Sequence, residues 1–337
     1  MQNTRILLAA RPDGWVDDSH FTQDTQPVPE PGDGQILLRT IYLSVDPYMR
    51  GRMNDTKSYI PPFQIGEPLS GGVVAEVVHS NHADFAVGDT VIGLLDWAEY
   101  SVSNGEGLRK VHAGGHPLSY HLGILGMPGL TAYVGLVEVG RVQAGESVFV
   151  TAASGAVGSV VGQIARNMDC YVAGSAGSDA KVAHLKNTLG FNDAFNYKSV
   201  DSVHKTIAGL FPKGINVAFE NVGGAQFEAA IWNMAVFGRI ALCGMIADYN
   251  ISRSEMPAGP RGMTNLIGRN VTLQGFIVSN YPQAAPAWDA QCREWLAAGK
   301  MTYDESVAEG IGAAPGAFVG MMKGENFGKQ IVKVGDE

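Results

Sequence analysis

The chain has 337 residues, which is more than one hydrophobic core usually supports, so two domains are expected. A hydrophobic fraction of 45% with 17% charged residues indicates a packed globular protein and argues against a disordered one. The net charge of -9 argues against sequence-independent nucleic-acid binding, which needs a basic surface.

The amino-terminal region and the cysteines indicate where the protein works. The apolar run from Ile6 to Ala10 is too short for a signal peptide or a membrane span. Cys170, Cys243 and Cys292 lie far apart and form no metal-binding pair, so no metal site is expected. Because sparse cysteines are typical of a reducing compartment, we expect a cytoplasmic protein that does not associate with membranes.

The first third of the chain has the pattern of short strands. Runs at Ile36–Ile41, Gly72–Val78 and Asp89–Gly93 are rich in β-branched residues and alternate with turn residues. This spacing predicts a small, irregular β-rich domain. The run Gln330–Val334 also reads as a strand, and we expect it to return to this domain.

From about Leu122, strand-like and helix-like segments alternate. Strands are predicted at Glu146–Thr151, Cys170–Gly174, Asp193–Tyr197, Ile215–Glu220 and Arg239–Cys243. Helices are predicted after Val157, from a cap at Ser178 to Leu189, across Val203, Ile207 and Leu210, and across Phe227, Ile231 and Met234. This alternation predicts an α/β domain with a doubly wound parallel sheet.

The turn Ala153-Ser154-Gly155-Ala156-Val157-Gly158 lies between a predicted strand and a predicted helix. Its spacing is that of the dinucleotide-binding motif, with alanine in place of the first glycine. Gly155 would let the backbone approach a pyrophosphate, Gly158 would let helix and strand pack closely, and the helix start would offer N–H groups. The alternative is an ordinary tight turn, but the flanking pattern favours a dinucleotide.

The residues after the second strand favour NADPH over NADH. An NAD site carries Asp or Glu about twenty residues after the glycines, whereas here the segment is Gly174–Gly177, followed by Lys181. A lysine in the first turn of a helix is mildly unfavourable against the helix dipole, so a bound phosphate would explain it. The alternative is a solvated surface lysine partly offset by Asp179.

Several motifs, taken in order, resemble one family. They are Leu43–Met53, Leu125–Tyr133, Gly155–Gly158, Glu220–Gly224, Gln274–Val278 and Lys323–Lys329. The chain resembles the zinc-independent medium-chain dehydrogenase/reductases, specifically the prostaglandin reductase/leukotriene hydroxydehydrogenase group and the bacterial NADPH-dependent curcumin and 2-alkenal reductases. The resemblance implies a GroES-like β-rich catalytic domain of residues 1–122 and 300–337, and a Rossmann NADP-binding domain of residues 123–299.

The resemblance also implies which residues bind NADP(H). Those matching Gly155–Gly158 hold the pyrophosphate, and those matching Lys181 and Tyr197 hold the adenosine 2′-phosphate. The rest of the cofactor groove would be lined by Asn221, by Cys243, Gly244, Met245 and Tyr249 of one loop, by Phe276, Ile277 and Val278, and by Asn326. The alternative for the apolar members is ordinary core packing. Cys243 in particular is expected to be a small buried hydrophobe that meets the cofactor through its backbone.

The reaction follows from what the sequence lacks. Zinc-dependent relatives carry a Gly-His-Glu ligand motif, whereas the corresponding segment here is Ile65-Gly66-Glu67-Pro68. Without such a ligand set to polarise a simple ketone, the easier substrate is a carbon-carbon double bond conjugated to a carbonyl. We therefore expect NADPH-dependent reduction of a small hydrophobic enone or enal.

Two tyrosines are candidates for the catalytic site. Tyr249, in the loop after the fifth strand, is the first candidate for proton delivery or enolate support, and Tyr48 is the second. With 11 tyrosines in the chain, either could be a packing residue, and water or the nicotinamide ribose could supply the proton. Asp46 is expected to fix its turn or to pair with Arg50 or Arg52, not to act as a base.

Other interpretations remain open at this point. The chain could be an NADPH quinone oxidoreductase on the same fold, or a non-catalytic NADPH-binding sensor or structural protein. The resemblance implies a homodimer that pairs the edge strands Val271–Val278 of two nucleotide domains. The stretch Ser252–Gly268, rich in proline and glycine, is predicted to be a flexible rim over the pocket.

Overall fold

The computed structural model describes residues 1–252, 254–257 and 259–337. Arg253 and Ala258, which belong to the predicted pocket rim, lie outside the described residues. The described chain forms two compact units. Unit 1 comprises Met1–Gly123 and Glu305–Glu337, and unit 2 comprises Ile124–Asp304.

The elements alternate differently in the two units. The strands are β1 Gln2–Leu8, β2 Phe21–Pro27, β3 Ile36–Ser44, β4 Ser70–Ser80, β5 Thr90–Asp96, β6 Tyr100–Ser103, β7 Arg109–Lys110, β8 Ser147–Val150, β9 Tyr171–Ala176, β10 Asp193–Asn196, β11 Ile215–Glu220, β12 Met234–Leu242, β13 Thr272–Gly275, β14 Glu305–Glu309 and β15 Lys329–Lys333. The α-helices are α1 Tyr48–Arg52, α2 Met127–Tyr133, α3 Gly158–Asn167, α4 Asp179–Asn187, α5 Val203–Leu210, α6 Gly224–Trp232, α7 Met263–Gly268, α8 Ala285–Ala297 and α9 Ala314–Met322.

Unit 1 is dominated by antiparallel strands. Its main sheet has the order β14-β15-β3-β4-β5-β7, with β6 also paired to β3. Strands β3 and β4 place alternate apolar side chains such as Leu38 and Val73 in the core, as the β-branched runs predict. Strand β15 pairs antiparallel with β3, which puts Ile331 opposite Ser44 beside the turn that leads into α1.

Unit 2 contains a six-stranded parallel sheet of order β10-β9-β8-β11-β12-β13. This is the 3-2-1-4-5-6 order of dinucleotide-binding folds, whose direction reverses between the first and fourth strands, here β8 and β11. Ligands in such sheets bind outside the carboxyl ends of the strands at this reversal. The α/β fold class with a β-rich domain and a doubly wound domain is therefore confirmed.

One predicted helix ends earlier than its apolar pattern suggested. Met234 continues the spacing of Phe227 and Ile231, but α6 ends at Trp232, and Met234 begins β12 and is fully buried. At the helix end, the Asn233 side chain donates to the carbonyl oxygen of Ala229 at 2.8 Å. Periodicity could not separate the two states because a buried strand residue is as apolar as a buried helix residue.

The carboxyl end of the predicted rim is helical rather than loop, since residues 263–268 form α7. A Cβ placed on Gly262, just before α7, would lie 2.7 Å from a ring carbon of Trp232, so this end packs closely on α6. Across the described residues, we find no helix that combines the length and apolar character needed to cross a membrane.

Candidate active site

The glycine turn of unit 2 is shaped by one close backbone approach. A Cβ on Gly158 would lie 2.4 Å from the carbonyl oxygen of Ala152, so the start of α3 packs against the end of β8 as the motif predicts. Helix α3 begins without a side-chain cap, because the residue before it is Val157. The first N–H groups of α3 therefore have no side-chain acceptor, which makes this helix start suited to an anion.

Two lysines lie close together beyond β9 and β10. Lys181 is only 8% exposed, at the third position of α4, where its backbone N–H donates to the capping hydroxyl of Ser178 at 3.3 Å. A Cβ on Gly177 would lie 3.3 Å from the Tyr197 hydroxyl and 3.5 Å from the Lys198 Nζ. Burial, and after it the charge of Lys198, lowers the pKa of Lys181 below its usual value. A phosphate here would relieve the repulsion between the two ammonium groups.

Lys198 was missed by the sequence analysis. It immediately follows Tyr197 at the end of β10, and the register that puts Asn196 opposite Ala176 brings it beside Gly177. The strand order predicted by the doubly wound fold was the available signal, because β10 is the neighbour of β9 in that order. Among the described residues, no carboxylate forms an ion pair with Lys198, and its ammonium lies 5.8 Å from the centroid of the Tyr197 ring.

A hydrogen-bond network joins β8 and β11 where the sheet order reverses. The Asn221 side chain donates to the carbonyl oxygen of Thr151 at 2.8 Å, and the Asn221 backbone N–H donates to the Thr151 hydroxyl at 2.8 Å. The Glu220 carboxylate accepts from the Thr151 hydroxyl at 3.0 Å and from the N–H groups of Val222 and Gly223 at 2.6 and 2.8 Å. The position of Asn221 is thus fixed from two strands.

Glu220 itself is a buried ionisable group that the sequence analysis did not single out. Complete burial raises its pKa from 4.5 to about 7, against the opposing effect of the accepted hydrogen bonds. All of its hydrogen bonds involve one carboxyl oxygen, and within the described chain the second oxygen has no hydrogen-bond partner. This arrangement suits a carboxyl that carries a proton on the second oxygen.

The loop after β12 closes over the end of β11. The N–H groups of Cys243 and Gly244 donate to the carbonyl oxygen of Glu220 at 2.9 and 3.1 Å, and Ile246 donates to that of Asn221 at 3.2 Å. The Tyr249 hydroxyl lies 3.3 Å from the position of a Cβ on Gly244. These contacts gather Cys243, Gly244 and Tyr249 at the same strand ends as Asn221.

The side chains of this loop differ in character. Burial, and after it the neighbouring Glu220, raises the pKa of the Cys243 thiol to about 12, so the thiol stays protonated and unreactive. This agrees with the interpretation of Cys243 as a small buried hydrophobe. The Met245 side chain lies over Gly223, whose Cβ position is 3.1 Å from the methionine methyl group.

The remaining predicted cofactor residues are in two places. Phe276 follows β13 and packs edge-to-face on Phe219 and Tyr281, with ring centroids 6.3 and 6.4 Å away, and Ile277 and Val278 are half-buried beside it. Asn326 belongs to unit 1, where its side chain donates to the carbonyl oxygen of Gly328 at 2.8 Å. The assignment of all four to the cofactor groove stays a prediction.

Asp46 has a different partner from the one predicted. Its carboxylate pairs with Lys329 at 3.0 Å, and the Lys329 ammonium, 1% exposed, also donates to the carbonyl oxygens of Val45 and Gln330. The predicted pairing with Arg50 or Arg52 is wrong. Arg50 donates to the carbonyl oxygen of Gly14 at 2.7 Å instead, and Arg52 is engaged with the segment that leads to β4. Strand β15 carries Lys329 to the turn because it pairs with β3.

Tyr48 follows this turn as the first residue of α1 and is half-buried. Burial, and after it the Asp46 carboxylate, raises the pKa of Tyr48 above its usual value, while Arg52 opposes that effect. The phenol is therefore protonated at neutral pH and can donate a hydrogen bond. Unit 1 thus presents one candidate donor, Tyr48, and unit 2 presents Tyr249.

Comparison with known proteins identifies the family. Residues 4–111 match the model described as the N-terminal domain of oxidoreductase, and residues 156–292 match that described as zinc-binding dehydrogenase. The chain is 41% identical over 344 residues to the NADPH-dependent curcumin reductase of Escherichia coli, covering 100% of this chain and 98% of that protein. The chain belongs to the zinc-independent medium-chain dehydrogenase/reductases.

Two further relatives of this family are similar over most of their length. The NADP(+)-dependent 2-alkenal reductase of Nicotiana tabacum is 45% identical over 312 residues, covering 92% of this chain and 90% of that protein. The crystal structure of CurA in complex with NADPH from Vibrio vulnificus superposes with a TM-score of 0.93 at 41% identity, covering 99% of this chain and all of that one. The resemblance stated from the motifs is therefore confirmed.

The zinc named in the second family model does not fit the residues of this chain. Among the described residues, no group of three His, Cys, Asp or Glu side chains is placed to hold a metal ion. Two of the cysteines are buried without a second thiol or an imidazole as hydrogen-bond partner: the Cys170 thiol donates to the carbonyl oxygen of Gln143 and Cys292 lies against that of Ile124. By contrast, the glycine turn and the two lysines fit NADP(H).

Proposed function

We propose that this chain is an NADPH-dependent reductase of the carbon-carbon double bond of α,β-unsaturated aldehydes and ketones. The observation that carries the proposal is the geometry at the strand ends of unit 2. There the start of α3 has no side-chain cap, and two lysines lie where a second anion would sit. The printed activities of the relatives, curcumin reductase and 2-alkenal reductase, support the substrate class.

In this proposal, unit 2 is the NADP-binding domain. The N–H groups of Gly155–Gly158 hold the pyrophosphate, and Lys181, Lys198 and Tyr197 hold the 2′-phosphate. Asn221 and the backbone of Cys243–Met245 contact the nicotinamide half, because they lie at the reversal of the strand order. Phe276, Ile277 and Val278 of unit 2, and Asn326 of unit 1, complete the set of proposed contacts.

Unit 1 is proposed as the GroES-like catalytic domain that supplies Tyr48. NADPH, when bound, supplies the hydride that adds to the β-carbon of the substrate. The carbonyl oxygen then gains negative charge, which a phenol can stabilise by donating a hydrogen bond. Tyr48 and Tyr249 are the proposed donors, and the α-carbon receives its proton from one of them or from water.

We also propose that the protein is a cytoplasmic homodimer that pairs β13 of two copies. Strand β13 is the last strand of its sheet and is hydrogen-bonded to β12 on one side. Large apolar side chains are exposed close to it: Phe237, whose N–H donates to the carbonyl oxygen of Arg269, is 69% exposed, and Ile267 is 80% exposed. Three cysteines that form no disulfide suit a reducing compartment. A solution mass equal to one chain at micromolar concentration would argue against the dimer.

A screen of NADPH oxidation tests the proposed activity. The panel contains 2-alkenals, aryl enones, 15-oxo-prostaglandin-like enones and simple quinones, with product analysis for a saturated carbon-carbon bond. We expect turnover of enals or enones with saturated products. Turnover restricted to quinones would indicate a quinone oxidoreductase, and NADPH binding without turnover of any compound would indicate a sensor or structural role.

A further inference from the structure

Arg52, the last residue of α1, is a buried cation with an unusually complete set of contacts. Its side chain lies in the core of unit 1 and is 8% exposed. Nε donates to the carbonyl oxygen of Pro61 at 3.0 Å, and Nη1 donates to the carbonyl and hydroxyl oxygens of Ser70 at 3.1 Å each. The guanidinium plane also covers the ring of Phe63, 3.9 Å from its centroid. Its position is therefore fixed on three sides.

The charge of Arg52 is not explained by these contacts. Burying a cation is costly unless an anion or a developing negative charge compensates it. In the part of the chain that the structure describes, the groups that act on this charge are the phenols of Tyr48 and Tyr59, and no carboxylate is among them. A neutral amide could make hydrogen bonds to the oxygens of Pro61 and Ser70, so holding those segments does not require a charge.

The contact that remains is with Tyr48. The two residues are four apart on α1, which places them on the same face of the helix. Arg52 acts on the Tyr48 hydroxyl both as a charge and through a side-chain hydrogen bond. An N–H donor on the phenol oxygen polarises the O–H bond and makes the hydroxyl a better donor to a third group. The other charge near Tyr48 is Asp46, which is itself paired with Lys329.

We infer that Arg52 is a positioning residue for the reduction and acts through the Tyr48 hydroxyl, supplying positive charge as the enone oxygen becomes negative. The inference rests on the proposed function. Hydride adds to the β-carbon and forms a C–H bond, the electron pair of the double bond moves to form the enolate, and the carbonyl oxygen takes the negative charge. A proton from water then completes the α-carbon, so Arg52 and Tyr48 keep their protons throughout.

A double-mutant cycle on the full chain tests this inference, with an aryl enone and NADPH as substrates. Tyr48→Phe and Arg52→Gln are each expected to lower kcat about tenfold or more, with the KM for NADPH changed less than about twofold. Because Arg52 acts through the hydroxyl, adding Arg52→Gln to Tyr48→Phe should lower kcat no further. If Arg52→Gln lowers kcat by the same factor in both backgrounds, Arg52 is a structural residue and the inference is overturned.

Arg50→Gln is the matched control, because Arg50 is buried on the same helix and donates to the Gly14 carbonyl oxygen and to Asn54. Its effect should multiply with that of Tyr48→Phe. Arg52→Lys keeps the charge and guards against failed folding of the glutamine variant: we expect it to retain more than about a third of kcat. A loss as large as that of Tyr48→Phe would contradict the inference. If the unaltered chain does not reduce enones at all, the proposed function fails as well, which is a distinct result.

Discussion

In unit 2, the groups proposed to hold NADPH lie at the carboxyl ends of neighbouring parallel strands, whereas in unit 1 the Tyr48 turn is held by side chains from distant segments. Asn221 and Thr151 meet because β8 and β11 are adjacent in the sheet. Asp46 and Lys329 meet across 283 residues of sequence. The nucleotide side is therefore built from a regular topology, and the turn that carries Tyr48 is built from buried charges.

The buried ion pair of unit 1 gives the largest expected effect. Lys329→Met would leave the Asp46 carboxylate buried without its partner, so we expect the free energy of unfolding to fall by about 3–5 kcal/mol. The measurement is urea-induced unfolding of the full chain. The double variant Asp46→Asn with Lys329→Met removes both charges and should lose clearly less. Equal losses in the single and double variants would show that the charge pair does not hold the turn.

The glycine turn of unit 2 should respond through backbone packing instead of charge. Gly158→Ala puts a methyl group 2.4 Å from the Ala152 carbonyl oxygen, where neither backbone segment can move freely. We expect a loss of about 1–3 kcal/mol of unfolding free energy and weaker NADPH binding, measured by unfolding and by NADPH fluorescence.

The control for that variant is Gly209→Ala, since Gly209 lies on the exposed side of α5 with nothing within 4 Å of its Cβ position. It should stabilise the protein by up to about 1 kcal/mol, because alanine is the better helix former. If Gly158→Ala behaves like Gly209→Ala, the close approach at the turn is not a constraint on the fold.

The Glu220 carboxyl predicts a pH dependence of stability within unit 2. Because its folded pKa is raised from 4.5 to about 7, the folded chain holds a proton that the unfolded chain releases. Its contribution to stability is therefore present in full below pH 4.5 and is lost as the pH rises through about 7. Glu220→Gln keeps a carbonyl acceptor and cannot ionise, so relative to the parent it should gain about 1–2 kcal/mol between pH 5 and pH 8. Unfolding curves at both pH values check this, and an identical pH dependence in parent and variant would contradict it.

The lysine pair gives the smallest expected effect and separates NADPH from NADH. Lys181→Ala and Lys198→Ala should each raise the KM for NADPH about tenfold, or about 1.4 kcal/mol, and change the KM for NADH little. Steady-state kinetics with both cofactors measure this. Lys186→Ala is the control on α4, because that lysine pairs with Asp193, and it should affect neither cofactor. Equal effects of Lys181→Ala on both cofactors would remove the 2′-phosphate assignment.

Local patterns in the sequence were sufficient for much of unit 2. The strand before Gly155, the helix after it and the cap at Ser178 each depend on residues within a few positions, so periodicity and capping rules could identify them. The importance of Lys198 depends instead on which strands are neighbours. It could be deduced only by carrying the predicted strand order through to the ends of β9 and β10.

The environment of Tyr48 was beyond local patterns. The sequence offered Arg50 and Arg52 as partners for Asp46 because they are near in the chain, but the return of β15 beside β3 supplies Lys329. Glu220 was likewise quoted only as part of a motif, because its burial depends on three surrounding segments. Long-range pairing of buried charges has no periodic signature that a single sequence displays.

The most direct test of the central claim follows the hydride. NADPH carrying deuterium at C4 of the nicotinamide is oxidised by the full chain with an aryl enone, and the product is analysed by NMR. The account predicts a saturated ketone with one deuterium at the β-carbon and solvent hydrogen at the α-carbon. Deuterium on the carbonyl carbon of an alcohol, or NADPH oxidation that leaves the enone unlabelled, would contradict it.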